Sequence, residues 1–288
     1  MQSYLEPRND GLPMRSAGSW AAKKLDYLAR YIDVFEKSMR KKWVTRNYID
    51  LMAGPGKDRI RGSGAVLLGS PLQALTTSHP FTGYFFVDLL EENTTTLRQR
   101  CTASPHQNLV SIHTGDCNVL VDDIVARIRP KDRVSLNLAF LDPEGFELKW
   151  ATVVKLASLR RMDLIINYPQ GGLNRYLRQA YDSKATTSVD LFFGGREWRN
   201  LYEKSQTKQT SVGIHRLLID HYRDNLVKLG YTEVFRGDEG IEDEPLIRNT
   251  QRNAPLYRLL FASKHNLGHQ FWRKVVSRDV YGQASLFG

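Results

Sequence analysis

Cysteine is scarce: the chain has only Cys101 and Cys117. Two thiols cannot build a structural zinc site by themselves, and they are no disulfide framework, so a reducing cytoplasmic compartment is expected. No apolar run approaches 18 residues, so no membrane-spanning helix is expected. The opening stretch, MQSYLEPRNDGLPMRSAGS, is polar and lacks the apolar centre of a signal peptide. There are no internal repeats and no low-complexity segments. What is present is ordinary globular material: 288 residues, 41% hydrophobic and 25% charged. That suffices for one large domain with a full core. Lys and Arg number 41 against 31 Asp and Glu, a net charge of +10. The excess is uneven. Residues 1–150 carry 20 basic and 17 acidic groups, residues 151–288 carry 21 and 14. The second half is the better candidate for touching a polyanion such as nucleic acid.

The hydrophobic pattern alternates between two periods. Leu25, Leu28, Tyr31, Ile32, Phe35 and Met39 recur at helical spacing and predict a helix over 20–39. RNYIDLMAGPG then reads as a buried strand ending in glycines, followed by a basic loop with Lys57, Arg59 and Arg61. Ser70-Pro71 opens a helix, with Ser70 as its cap. Apolar runs at 83–88, 109–113, 134–142 and 163–169 read as further strands, separated by helices at 91–103, 119–128 and 150–159. Strands without polar alternation are covered on both faces, so the expected fold is α/β. It is a doubly wound, Rossmann-like, mostly parallel sheet, with a helical insertion after the fifth strand and a closing antiparallel pair at 230–237 and 255–263. One domain is expected over 1–288: a helical lead-in at 1–45, the insertion at 172–210 and a tail at 280–288.

The turn Asp50-Leu51-Met52-Ala53-Gly54-Pro55-Gly56 lets backbone approach a ligand closely. A dinucleotide fingerprint needs a third glycine where Arg59 stands, and a Walker loop needs Ser or Thr where Asp58 stands. D-x-x-A-G-x-G, the form class I methyltransferases use for S-adenosylmethionine (SAM), remains. Asp88 closes the second strand, where an acid can hold ribose hydroxyls. Gly115-Asp116-Cys117-Asn118 follows the third, and Asp142-Pro143 closes the fourth. Ligands of open α/β sheets bind at such strand ends. Each acid alone also suits a helix cap or turn.

The motifs KLDYLARYI, YIDLMAGPG, GSPLQAL, FFVDLLEEN, GDCN, AFLDPEGF, DLIINYP and LYRLLFASKHNLGHQFW resemble the three-Cys-motif partner (TcmP) family, and the resemblance covers most of residues 20–287. That resemblance implies a SAM-methyltransferase-like fold and a partnership with a three-cysteine, radical-SAM-like protein. It also implies that Lys24, in K-x-x-x-L-x-x-Y, pairs the methionine carboxylate of SAM. The sheet half is similar to ribosomal-RNA adenine methyltransferases, whose D-P-P-Y is replaced here by Asp142-Pro143-Glu144-Gly145. The missing second Pro and Tyr speak against adenine-N6 transfer.

For transfer to an exocyclic amine, a side-chain oxygen and a neighbouring carbonyl accept its N–H bonds. Asp142 with the Pro143 carbonyl is the candidate pair. Asn167-Tyr168-Pro169 is a second such turn, where Tyr168 stacks a flipped base or simply packs in the core. Lys57, Arg59, Arg61, Arg175 and Arg178 are candidates for phosphate contact. Glu239, Glu242, Asp243 and Glu244 read as a solvated acidic loop. The tail Gln283-Ala284-Ser285-Leu286-Phe287 resembles the bacterial sliding-clamp peptide, with Gln283, Ser285, Leu286 and Phe287 as contacts. Alternatively, Leu286 and Phe287 cap the domain's own core. The expected activity is SAM-dependent methyl transfer to nucleic acid. The rival is a non-catalytic module that binds DNA, a clamp or a protein partner.

Overall fold

A computed structural model describes residues 3–207, 213–231 and 244–277. In chain order the elements are β1 (Arg15–Ala17), α1 (Ala21–Met39), β2 (Thr45–Asp50), β3 (Lys57–Ile60), β4 (Val66–Leu68) and α2 (Ser70–Leu75). Next come β5 (Gly83–Asp88), α3 (Glu91–Cys101), β6 (Val110–Thr114), α4 (Cys117–Ile128), β7 (Ser135–Leu141), α5 (Trp150–Ala157) and β8 (Met162–Tyr168). Three helices follow: α6 (Gln170–Asp182), α7 (Ser188–Phe193) and α8 (Trp198–Gln206). The chain continues through α9 (Ile214–Lys228), β9 (Leu246–Arg248), β10 (Pro255–Ala262) and α10 (Asn266–Val276).

Among the described residues the main sheet has the order β6-β5-β2-β7-β8-β10-β9. β6, β5, β2, β7 and β8 run parallel, and β10 enters antiparallel beside β8. This is the expected doubly wound α/β sheet, with the helical insertion after β8 and the antiparallel closing pair. Alternate residues serve opposite faces, as a strand requires. In β7, Leu138 and Phe140 enter the core under α1, α2 and α10, whereas Ala139 and Leu141 enter the core under α4 and α5. β8 repeats this with Ile165 against Leu164 and Ile166. Both faces are therefore dry, which explains the unbroken apolar runs.

Three local expectations are corrected. The partner of β10 is β9 at 246–248; of the 230–237 run, 232–237 lies outside the described residues. The basic loop after the first strand is instead β3, which pairs parallel with β1 and antiparallel with β4 in a separate small sheet. Finally, the cap of α2 is Gly69 rather than Ser70, which sits inside the helix with Pro71.

Candidate active site

Two cavities open at the carboxyl ends of the parallel strands. One, of about 530 Å³, lies over the ends of β2, β5 and β6. Its walls include Gly54, Asp88, Asp116 and Cys117, with apolar surface from Leu89, Leu90, Phe146 and Leu191. The other, of about 550 Å³, lies over β7, β8 and the start of β10. Arg15, Asp142 and Glu144 line both.

The glycine turn is held from several sides. Asp88 accepts hydrogen bonds from Gly54 N at 2.8 Å, Leu90 N at 3.0 Å and Asn93 Nδ2 at 2.8 Å. Ala53 N donates to Val87 O at 2.8 Å. Gly54 has φ +62° and open space where a Cβ would stand, so it presents bare backbone to the cavity. Gly56 differs: its φ is +95°, and an added Cβ would meet Leu97 Cδ1 at 2.9 Å. It serves packing rather than ligand approach. Ala53 is likewise buried and absent from the cavity wall.

Asp50 is fully buried and lines neither cavity. Burial pushes its carboxyl up to about 7, against hydrogen bonds from Ser70 and Met52 N. It shapes the turn from below and does not face the ligand space. Asp116 does face that space, and it also caps α4 by accepting from Asn118 N at 2.8 Å. Asn118 in turn holds the loop after β7, donating to Glu147 O and accepting from Lys149 N and Thr152 Oγ1. Burial lifts the Cys117 thiol to about 12, so it meets the cavity as a neutral group.

Asp142 and Asn167, read from the sequence as two separate turns, come together beyond β7 and at the end of β8. Asn167 Nδ2 donates to Asp142 Oδ1 at 2.7 Å and to Pro143 O at 3.3 Å. The other carboxylate oxygen of Asp142 is ion-paired with Lys24 Nζ. Burial acts to raise the Asp142 pKa, but the charges of Lys24 and Arg15 and the two hydrogen bonds outweigh it and hold the group below the usual carboxylate range. Three roles are revised by this geometry. Lys24 is buried against Asp142 and lines the second cavity only, so it is not placed for a carboxylate in the first. Each oxygen of Asp142 and the Pro143 carbonyl already has one partner, and Asp142, 5% exposed, is closed in by burial where Asp88 is only half-buried. Asn167 Oδ1 and the Tyr257 hydroxyl are buried in the wall of the second cavity without a hydrogen-bond partner among the described residues.

Tyr168 is wholly buried, ringed by Phe192, Phe193 and Tyr222, so it packs the core and cannot stack a base. Lys57 is also removed from solvent. It pairs with Asp10 at 2.8 Å and donates to Ser3 O and Arg8 O, which excludes it from phosphate contact. Arg59, Arg61, Arg175 and Arg178 are exposed. Arg61 and Arg175 line the second cavity, while Arg178 faces Asp182 at 3.9 Å. Glu244 is buried among Arg223, Arg216 and Arg258 rather than solvated; Glu239, Glu242 and Asp243 lie outside the described residues. So do Gln283, Ser285, Leu286 and Phe287.

Sequence reading missed several wall residues. Arg15 reaches the site because β1 pairs with β3, and its guanidinium grips Asp58 at 2.9 and 3.1 Å. Arg252 and Tyr257 join the second cavity through the β9–β10 turn and the start of β10. No helix among the described residues is long and apolar enough to cross a membrane. Among those residues no three His, Cys, Asp or Glu side chains group to hold a metal ion.

No family model matches this chain, and no curated protein matches it. Solved structures do. The O-methyltransferase TomG from Streptomyces achromogenes, in complex with SAM, is 11% identical over 86% of this chain and 82% of its own, with a TM-score of 0.44. The O-methyltransferase from Bacillus cereus, in complex with SAH, is 12% identical over 88% and 84%, with a TM-score of 0.41. Protein LPL1258 from Legionella pneumophila is 14% identical over 58% and 75%, also at 0.41. These likenesses are remote, and the chemistry of the site rests on its own residues.

Proposed function

We propose that this chain is a SAM-dependent methyltransferase acting on nucleic acid. The observation that carries the reading is the shared wall: Arg15, Asp142 and Glu144 border two cavities of similar size, one lined by Gly54, Asp88 and apolar side chains and one that also carries Arg61, Arg175 and Arg252. In the first, Asp88 offers remaining acceptor capacity to ribose hydroxyls, Gly54 offers bare backbone, and Leu89, Leu90, Phe146 and Leu191 offer apolar surface to a base. SAM bound there supplies an electrophilic methyl group on a sulfonium. The chain's part is to place the acceptor in line with it and to exclude water.

The second cavity supplies that placement. Its wall carries Arg15, Lys24, Arg61, Arg175 and Arg252 against Asp142 and Glu144. Arg61, Arg175 and Arg252 have no carboxylate within ion-pair distance among the described residues. Guanidinium groups without a carboxylate partner suit phosphates, although Arg61 also donates to Ser16 O and lies over Trp20. Trp20 and Tyr257 give aromatic surface for a base. Asn167 Oδ1 accepts an N–H from the acceptor, while Asp142 holds the Asn167 amide in position through its Nδ2.

One observation favours the rival reading, a binding module without catalysis: both Asp142 oxygens are occupied by Lys24 and Asn167. Methyl transfer from labelled SAM to RNA, single-stranded DNA and duplex DNA separates the two. Incorporation that Asn167→Ala removes supports the enzyme. Nucleic-acid binding without incorporation supports the module. The resemblance to the TcmP family adds a three-cysteine protein, and the tail adds a sliding clamp, as partners to include in that assay.

A further inference from the structure

A third cavity, of about 450 Å³, lies at the opposite end of the sheet. It opens beside the amino ends of β7 and β8, where the parallel strands begin, and is roofed by the end of α1 and the start of α10. No part of the methyl-transfer reading uses it. Its volume suits a small organic ligand.

The cavity is graded from mouth to floor. At the mouth stand Lys42 and Arg160, both exposed and neither in an ion pair among the described residues. The nearby Lys264 ammonium is already taken by the Ala157 and Leu159 carbonyls. The middle is apolar and partly aromatic, with Trp43, Leu136 and Phe271. The Arg161 guanidinium, which also lines the cavity, stacks on one face of Trp43, 4.4 Å from its ring centroid, and holds it as a flat wall. The floor is polar. Asp163 is 7% exposed, and its carboxylate accepts from Tyr31 Oη at 2.8 Å. The Ser263 side chain also hydrogen-bonds to it and His265 lies nearby, but no Lys or Arg pairs with it among the described residues, so an anionic ligand end is unwelcome there and a neutral donor is welcome.

A ligand that satisfies all three zones has an anionic end, a flat body and a hydrogen-bond donor at the far end. A fatty acid fails at the floor, and an inorganic anion fails in the middle. We propose that this cavity binds an amino-bearing purine nucleotide, with its phosphate at Lys42 and Arg160, its ring along Trp43 and its amino group toward Asp163.

Calorimetric titration with AMP tests this on the full chain. AMP is expected to bind, and Lys42→Ala/Arg160→Ala is expected to weaken it at least about tenfold, as for lost charge-assisted hydrogen bonds. Both substitutions are at exposed side chains, and an unchanged melting temperature verifies the fold. Adenosine, which lacks the phosphate, and IMP, which lacks the amino group, are each expected to bind at least about tenfold more weakly. AMP binding that the double variant leaves unchanged lies elsewhere, for example in the cavity at the other end of the sheet, and overturns the proposal. Equal affinity for AMP and IMP overturns the role of Asp163 and with it the ligand class. Absence of AMP binding overturns the proposal outright.

Discussion

Lys24 and Asp142 form an ion pair at the wall between two cavities, joining α1 to the end of β7. Neither residue is free to act alone. The pair fixes the Asp142 carboxylate in its ionised form, and Asp142 in turn orients Asn167. Asp142→Ala is expected to abolish methyl transfer while leaving SAM affinity within about threefold. It also strands the buried Lys24 charge, so the melting temperature falls. Replacing both partners, Lys24→Met with Asp142→Leu, is expected to recover much of that stability and none of the transfer. Recovery of transfer in the double variant would sink the positioning role.

The arginines of the second cavity and Lys57 are expected to separate cleanly. Arg61→Ala, Arg175→Ala and Arg252→Ala together should flatten the salt dependence of nucleic-acid binding, by about 0.7 to 0.9 for each phosphate no longer neutralised. Lys57→Met should leave that slope unchanged. It removes one of the two cations on buried Asp10, which keeps its pair with Arg100, and costs on the order of 1–3 kcal/mol of stability. Binding isotherms at several salt concentrations, alongside melting curves, check both halves.

The two glycines of the turn also part company. Gly56→Ala drives a Cβ against Leu97 and Leu72 at a positive φ, so it is expected to destabilise the protein by about 1–3 kcal/mol. Gly54→Ala meets no atom within 4 Å and carries only the left-handed backbone strain, about 1–2 kcal/mol. Its Cβ enters the first cavity, so SAM affinity should drop more than stability does. Titration and thermal melting of the two variants side by side check this.

Asp50 gives a pH signature. Burial holds its folded pKa near 7, above the ordinary carboxyl value of 3.8, so the folded state keeps a proton that the unfolded state releases. Stability is then greatest at low pH within this window and falls as pH rises from about 4 to 7. Glu36, lifted to about 7, and Asp163, lifted to about 6, slope the same way. The difference between wild type and Asp50→Asn isolates one group. The substitution should remove a loss on the order of 3 kcal/mol across that window. Parallel stability curves for the two proteins would contradict it.

The sheet was legible because both its faces are buried. Runs such as FFVD and LIIN carry no polar alternation and so announce their own environment. Asp88, Asp116 and Asp142 were legible because a doubly wound sheet puts strand ends together. Polar residues near the start of the chain were not. Lys57 and Asp10 are far apart in the sequence, and only the small sheet and the leading segment bring them into contact. The same topology carries Arg15 into the site. Tyr168 was ambiguous for another reason: its neighbours Phe192, Phe193 and Tyr222 come from the insertion and from α9, which no local pattern reveals.

The proposed activity depends above all on SAM occupying the cavity over β2, β5 and β6. Calorimetric titration of the protein with SAM and with S-adenosylhomocysteine tests this directly, with Asp88→Ala as the control. Micromolar binding of both ligands by the wild type is expected, and its loss in a variant that still melts cooperatively. No heat with either ligand, or equal affinity in the Asp88→Ala variant, would contradict it.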